Sequence, residues 1–192
     1  MDNRQKVIDA AIKSFSMFGY KGTTMDQIAK IANIGKGTIY LVFSSKDELF
    51  THILDDIAND MQEIAKKSLE SEGPFLDKLS HAIRQILLNR SKHEVFSKLS
   101  LEVKEIGTKK VISGLEQVEH SIVNFIASEI EKAQSRKDVA PCNATALAFV
   151  LFRTYTGLVS DWPNPYPHLS DDEIEQVFSD IFVRGLNPST TS

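Results

Sequence analysis

Residues 24–49, TMDQIAKIANIGKGTIYLVFSSKDEL, write two short helices, a tight turn between them and the start of a third helix. Thr24 and Gln27 form a T-x-x-Q capping box. The hydroxyl accepts from the third helical N–H while the glutamine reaches back to the cap. Loss of such a cap costs about 1 kcal/mol. Met25, Ile28, Ala29 and Ala32 then fall at i, i+3, i+4 and i+7 and share one helix face. Asn33, one of the few residues besides glycine that accepts a left-handed backbone, marks the turn. Ile34 returns the chain to the core, and Gly35 and Gly37 flank Lys36 at the opening of the next helix. Ser45 and Glu48 supply a second box, S-x-x-E, ahead of a helix beginning at Lys46.

The span from Gln27 to Leu41 therefore has the layout of a helix-turn-helix, whose second helix lies in the DNA major groove. The competing reading is an ordinary helical hairpin inside a core. Against it, the second helix, residues 36–43, is too short to contribute much packing. It also carries Lys36, Gly37, Thr38 and Tyr40 where an internal helix would carry leucines. By position those four are the base-facing set. Lys36 can donate to guanine O6 or N7, and Thr38 can meet a base edge or a thymine methyl. Gly37 lets the backbone approach closely, and Tyr40 offers its hydroxyl to phosphate. Thr24 and Lys46 stand at helix N-termini, where free N–H groups and the positive dipole end favour phosphate.

A net charge of −4 opposes DNA binding until it is divided along the chain. Residues 1–50 carry seven Lys and Arg against five Asp and Glu, leaving +2 there and −6 on the remainder. Only charges near phosphate matter, because screening reaches about 10 Å at 0.1 M salt. Affinity for random DNA is expected to be modest.

With these residues in view, the chain resembles the tetracycline-repressor (TetR) family of bacterial transcription regulators. The resemblance is carried by Ala11, Phe15, Phe18-Gly19-Tyr20, Thr23-Thr24-Met25, Ile28-Ala29 and Ala32-Asn33-Ile34. It continues through Gly35-Lys36-Gly37-Thr38-Ile39-Tyr40, Phe43 and Ser45-Lys46-Asp47-Glu48-Leu49. It implies an all-helical homodimer with an N-terminal DNA-binding head and a variable C-terminal domain that binds an effector and dimerises. The division expected is 1–48 for the helix-turn-helix head and 49–192 for the ligand-binding and dimerisation domain. One departure stands out: Val42 occupies a position where the family often has Tyr or His, which puts a phosphate contact there in doubt.

The rest of the chain reads as helices alone, about nine in all, with no strand-like alternation and no internal repeat. The first spans residues 3–17, with Val7, Ile8, Ala11, Ile12, Phe15 and Phe18 as its packing stripe. A long helix, 46–69, keeps Leu49, Phe50, Ile53, Leu54, Ile57, Met61 and Ile64 in register until Glu72-Gly73-Pro74. Proline opens a new helix better than it continues an old one. A shift of this long helix is a route for an effector signal. Helices then follow over 75–89, 93–106, 108–136, 143–161 and from a third capping box at Ser170 and Glu173 to Gly185, with 188–192 as a tail. The 143–161 segment is apolar on nearly every side and must be covered on more than one face. The last two helices resemble the pair that forms the family's four-helix dimer interface, with Phe149, Phe152, Ile174, Phe178, Ile181 and Phe182 at the contact. The alternative is that they close a monomeric core. Two heads about 34–36 Å apart would read a palindromic double-stranded operator in successive major grooves.

An unidentified small molecule is the expected effector, held between helices of the C-terminal domain. Candidate lining residues are Arg84, Phe96, Phe125, Phe149, Phe152, Arg153 and Tyr155, with His81, Glu102 and His120 as further polar candidates. That company suits a hydrophobic or amphipathic ligand. No metal site and no cofactor is expected: the five histidines form no H-x-x-x-H pair and Cys142 is the sole cysteine. No stretch approaches the roughly 20 apolar residues that span a bilayer, and the N-terminus lacks a signal-peptide pattern, so a cytoplasmic location without membrane contact is expected. Catalytic motifs such as G-x-S-x-G or a phosphate-binding glycine loop are absent, which excludes an enzyme on sequence grounds. Two functions remain: a ligand-responsive regulator, a repressor released by its effector, or a DNA-binding interaction protein governed by a protein partner or by nothing. A body without a cavity would indicate the second.

Overall fold

The capping residues read from the sequence, Thr24, Ser45 and Ser170, stand at three helix starts in the computed structural model, which describes residues 2–90, 94–162 and 165–183. The described elements are α1 (Asn3–Phe18), α2 (Met25–Ile31), α3 (Lys36–Val42), α4 (Lys46–Leu69), α5 (Phe75–Leu88), α6 (Glu94–Ile106), α7 (Lys109–Ser135), α8 (Ala144–Val159) and α9 (Asp171–Phe178). A single π turn, Ser179–Val183, extends α9. No strand occurs among the described residues, so the class is all-α, as the patterning predicts. The expected helix start at His93, the stop at Gly185 and the tail 188–192 lie outside the described residues.

Both arms of the Thr24–Gln27 and Ser170–Glu173 boxes form. Asn33 takes the left-handed backbone, at φ 54°. The box at Ser45 forms differently. The Ser45 hydroxyl accepts from the Glu48 N–H at 3.1 Å, but the Glu48 carboxylate turns to Ser44, accepting from its N–H at 2.8 Å and its hydroxyl at 2.6 Å. The two bonds from Ser44 hold the Glu48 carboxyl below the usual carboxylate range.

By compactness the chain forms two units. Met1–Ile57 joins Lys92–Val118, and Ala58–Ser91 joins Glu119–Ser192. In the first, α1 packs on α2, α3 and α6, around fully buried Phe15, Ile28, Ile39, Phe43, Leu49, Phe50, Ile53 and Leu99. The Phe50 ring meets Phe15 and Tyr20 edge-on at 5.5 and 4.7 Å. Gly114 of α7 is needed here, because a Cβ would lie 2.6 Å from Leu54 and 3.0 Å from Phe50. Phe18, expected in the α1 stripe, is largely exposed. It is the last residue of the helix, and Gly19 turns the chain away behind it.

In the second unit, α5 packs on α9, and Ile83, Leu87, Ile122, Ala148, Leu151, Ile174 and Phe178 are buried. Ion pairs brace it: Arg84 with Glu175 at 2.7 Å, Arg90 with Asp171 at 3.0 Å, and Arg153 with Glu119 at 2.7 Å. The all-round apolar α8 is not fully covered, since Phe149 and Val150 stay exposed. Among the described residues no helix is long and apolar enough to cross a membrane.

Candidate functional site

The turn before α2 is built from buried hydrogen bonds. Thr23, fully buried, donates its hydroxyl to the Gly19 carbonyl at 2.8 Å, so Ser14 must be the donor in the 3.0 Å bond between the two hydroxyls. The Lys46 ammonium donates to the carbonyls of Tyr20 and Thr23, both at 2.8 Å, and lies 4.2 Å from the Tyr20 ring centroid. The Tyr20 hydroxyl donates to the Asp47 carboxylate. Burial, aided by that carboxylate, raises the Tyr20 phenol well above its ordinary value. Burial also lowers the Lys46 ammonium, although Asp47 and Glu102 pull the other way.

Glu102, buried on α6, closes this turn from the far side. Its carboxylate accepts from the N–H of Tyr20 at 2.6 Å, from the N–H of Lys21 at 3.3 Å and from the Thr108 hydroxyl at 2.6 Å. The sequence reading offered Glu102 as an effector contact; the structure gives it to the α1–α2 turn. Val95, Leu99 and Glu102 are buried at i, i+4 and i+7. That stripe position was the available signal that this glutamate turns inward.

Held by this scaffold, α3 presents one exposed stripe: Lys36, Gly37, Tyr40 and Leu41. Thr38 is half-buried at its edge, and Ile39 is the helix's buried anchor. Leu41, not singled out from sequence, is 88% exposed and extends the stripe with an apolar group suited to a thymine methyl. Lys36 is paired across the turn with Asp26 of α2 at 2.8 Å, both side chains in solvent, and that bond raises its pKa. Thr24 is exposed at the start of α2 with its hydroxyl engaged in the capping box.

The second unit holds a cavity of ≈ 90 Å³ lined by α4, α5, α7, α8 and α9. Its wall is nearly all apolar, with Phe75, Ile83, Ile122, Phe125, Leu151 and Phe178 among the contributors.

The chain matches the family model described as bacterial regulatory proteins, tetR family, over residues 7–53. It is also 37% identical over 187 residues to the uncharacterized HTH-type transcriptional regulator YhgD of Bacillus subtilis (strain 168), an alignment spanning 97% of this chain and 98% of that protein. The chain belongs to the tetR family. It is a helix-turn-helix transcriptional regulator, and its relatives in the tetR family are regulators rather than enzymes. Over 56 residues, 29% of this chain and 30% of the relative, it is 39% identical to the biofilm operon icaADBC HTH-type negative transcriptional regulator IcaR of Staphylococcus epidermidis. Its fold matches that of AibR, solved in complex with isovaleryl coenzyme A and operator DNA, at a TM-score of 0.69 with 18% identity, covering 97% of this chain and 99% of AibR.

Measured against this tetR-family frame, the sequence-derived residues fall in different places. Phe125, Phe152 and Tyr155 line the cavity. Arg84 and Arg153 do not, each lying exposed in its ion pair with Glu175 or Glu119. Phe149 is exposed beneath Arg153, with the guanidinium 5.4 Å from its ring centroid, and Phe96 is half-buried on α6 in the first unit. His81 and His120 are exposed. Of the residues named for a dimer contact, Phe152, Ile174, Phe178 and Phe182 are enclosed by this chain, while Phe149 and Ile181 are exposed. Among the described residues no cluster of three or more His, Cys, Asp or Glu could hold a metal ion.

Proposed function

We propose that the chain is a ligand-responsive repressor that binds a palindromic operator as a homodimer and leaves it when a small hydrophobic effector enters the second unit. The observation that carries the ligand-responsive part is the apolar cavity, framed by residues from five helices. A regulator governed only by a protein partner has no use for one. Repression is supported by the similarity to IcaR, a negative regulator, and response to a small molecule by the fold shared with AibR, solved with isovaleryl coenzyme A and operator DNA.

In this reading residues 1–48 are the DNA-reading head and 49–192 carry ligand binding and dimerisation. Lys36, Gly37, Tyr40 and Leu41 face the bases, with Thr38 at the edge, and Thr24 meets phosphate. Lys46 acts at one remove, by holding the turn from which α2 starts. For the dimer, Phe149, Val150 and Ile181 are the apolar side chains left exposed on α8 and on the extension of α9. Burying them against a second copy covers the face of α8 that this chain leaves open. The working location is the cytoplasm, where operator DNA is found.

A footprint of the purified protein on DNA flanking its own gene tests this reading. The expected result is a protected palindrome whose occupancy falls steeply with salt and is lost when an apolar ligand occupies the cavity. Protection that no cavity ligand alters would favour the partner-controlled alternative.

A further inference from the structure

We infer that the cavity of the second unit selects a compact apolar molecule that is uncharged or bears a cation, and rejects carboxylates and phosphates of the same size. The inference rests on reading that cavity as the effector site. No Lys, Arg or His is among the lining residues. Its polar groups are Gln62, Tyr155 and Glu129. Gln62 donates to the Ser121 hydroxyl at 2.8 Å, and burial raises the Tyr155 phenol well above its ordinary value, so it stays a neutral group at any physiological pH. The one formally charged group in the wall is thus an acid.

The cations on the surrounding helices already have partners: Lys66 and Lys67 pair with Glu70 and Glu63, and Lys78 donates to the Leu69 carbonyl at 3.3 Å. Lys132 pairs with Glu129 at 2.5 Å, Arg90 with Asp171 at 3.0 Å, Arg153 with Glu119 and Arg84 with Glu175, both at 2.7 Å. An anionic ligand would lose its hydration, find no cation in the wall and meet a Glu129 carboxylate that already holds Lys132, the combination that makes a buried charge costly. An ammonium meets that same carboxylate favourably, in competition with Lys132, and a hydroxyl needs only one hydrogen-bond partner. Size narrows the class further. The cavity, at ≈ 90 Å³, suits a compact ligand.

Three probes of one length separate the possibilities: octan-1-ol, octylamine and octanoate, titrated calorimetrically near neutral pH into the full chain. The expected result is that the alcohol and the amine bind and that octanoate binds about tenfold more weakly or worse. Glu129→Gln should weaken the amine severalfold more than the alcohol. Ala65→Phe, which fills the cavity from α4, should abolish binding of the alcohol. Octanoate binding as tightly as octanol would overturn the charge selection while leaving the cavity as an effector site. Failure of all three probes, or alcohol binding that survives Ala65→Phe, would overturn the effector-site reading and this inference with it.

Discussion

The N–H of Tyr20 donates to the Glu102 carboxylate at 2.6 Å, joining the α1–α2 turn to α6 across 82 positions of sequence. The same carboxylate also takes the Lys21 N–H and the Thr108 hydroxyl. Glu102→Gln keeps the shape but turns one acceptor oxygen into an NH₂ group facing donors. Because bonds to a charged acceptor contribute more than neutral ones, the expected loss is about 2 kcal/mol. Urea unfolding measures it, and an unchanged midpoint would show that the buried carboxylate contributes nothing to folding.

Gly19 makes room for this bond. It sits at φ +69°, and a Cβ there would lie 2.4 Å from Glu102 Oε2. Gly19→Ala therefore carries two costs, roughly 1–3 kcal/mol for a backbone at φ 69° and ψ 179° that is essentially confined to glycine, and the displacement of the carboxylate. In a Glu102→Ala background only the first should remain. A double-mutant cycle should give a coupling of about 0.5 kcal/mol or more. Strictly additive losses would mean that the two residues do not constrain each other.

Asp26 restrains the lysine expected to face the bases. In the unliganded protein Lys36 is bonded to it at 2.8 Å, so DNA must take the ammonium from a carboxylate. Asp26→Asn should raise affinity severalfold for operator and random DNA alike, most at low salt, because it frees a cation and removes an anion near phosphate. Lys36→Ala should instead cost about ten- to a hundredfold on the operator and relax specificity at one base pair. Fluorescence anisotropy on both DNAs at two salt concentrations checks the pair. A gain confined to the operator for Asp26→Asn would point to Asp26 as a specificity residue rather than a restraint.

What was legible in the sequence follows the range of the interactions. Thr24, Asn33 and Ser170 announce their roles through neighbours three or four residues away, so helix ends and the α2–α3 turn could be read directly. The exposed stripe of α3 is a periodicity, and it too was readable, although Leu41 was passed over because a leucine suggests a core. Glu102 was misread because its partners include backbone N–H groups brought near only by folding, and the two carbonyls that Lys46 meets were hidden for the same reason. Backbone groups carry no sequence signature. The same limit applies to the cavity. Phe125, Phe152 and Tyr155 converge there, whereas Arg84 and Arg153, equally plausible by composition, are drawn to Glu175 and Glu119.

Lys46 tests that distinction. Its ammonium spans the carbonyls of Tyr20 and Thr23 rather than pointing to solvent. Lys46→Met should lower thermal stability by about 1 kcal/mol, discounted because part of the side chain is solvated. It should weaken operator and random DNA together through a loosened α2. Lost DNA binding without a shift in Tm would instead make Lys46 a direct phosphate ligand.

Alkaline pH offers the last test, through two phenols. Burial raises the pKa of Tyr20 and Tyr155 above the ordinary value of 10.0, with Asp47 adding to the effect at Tyr20. A folded-state pKa above the unfolded one means that the folded chain keeps protons the unfolded chain has released. The stability these groups support is fully present below pH 10 and drains away as pH rises past it. Lys46 acts in the opposite direction and at lower pH, its effect complete by about the ordinary value of 10.5, because burial lets the ammonium lose its charge earlier in the folded chain. Two phenols against one ammonium leave a net loss. Urea midpoints measured at about pH 9 and about pH 11 should therefore fall, and Tyr20→Phe, whatever it costs at neutral pH, should flatten that fall. A midpoint drop of the same size in Tyr20→Phe would place the alkaline sensitivity at Tyr155 or elsewhere, and would remove the buried Tyr20 hydroxyl from the account of the head's stability.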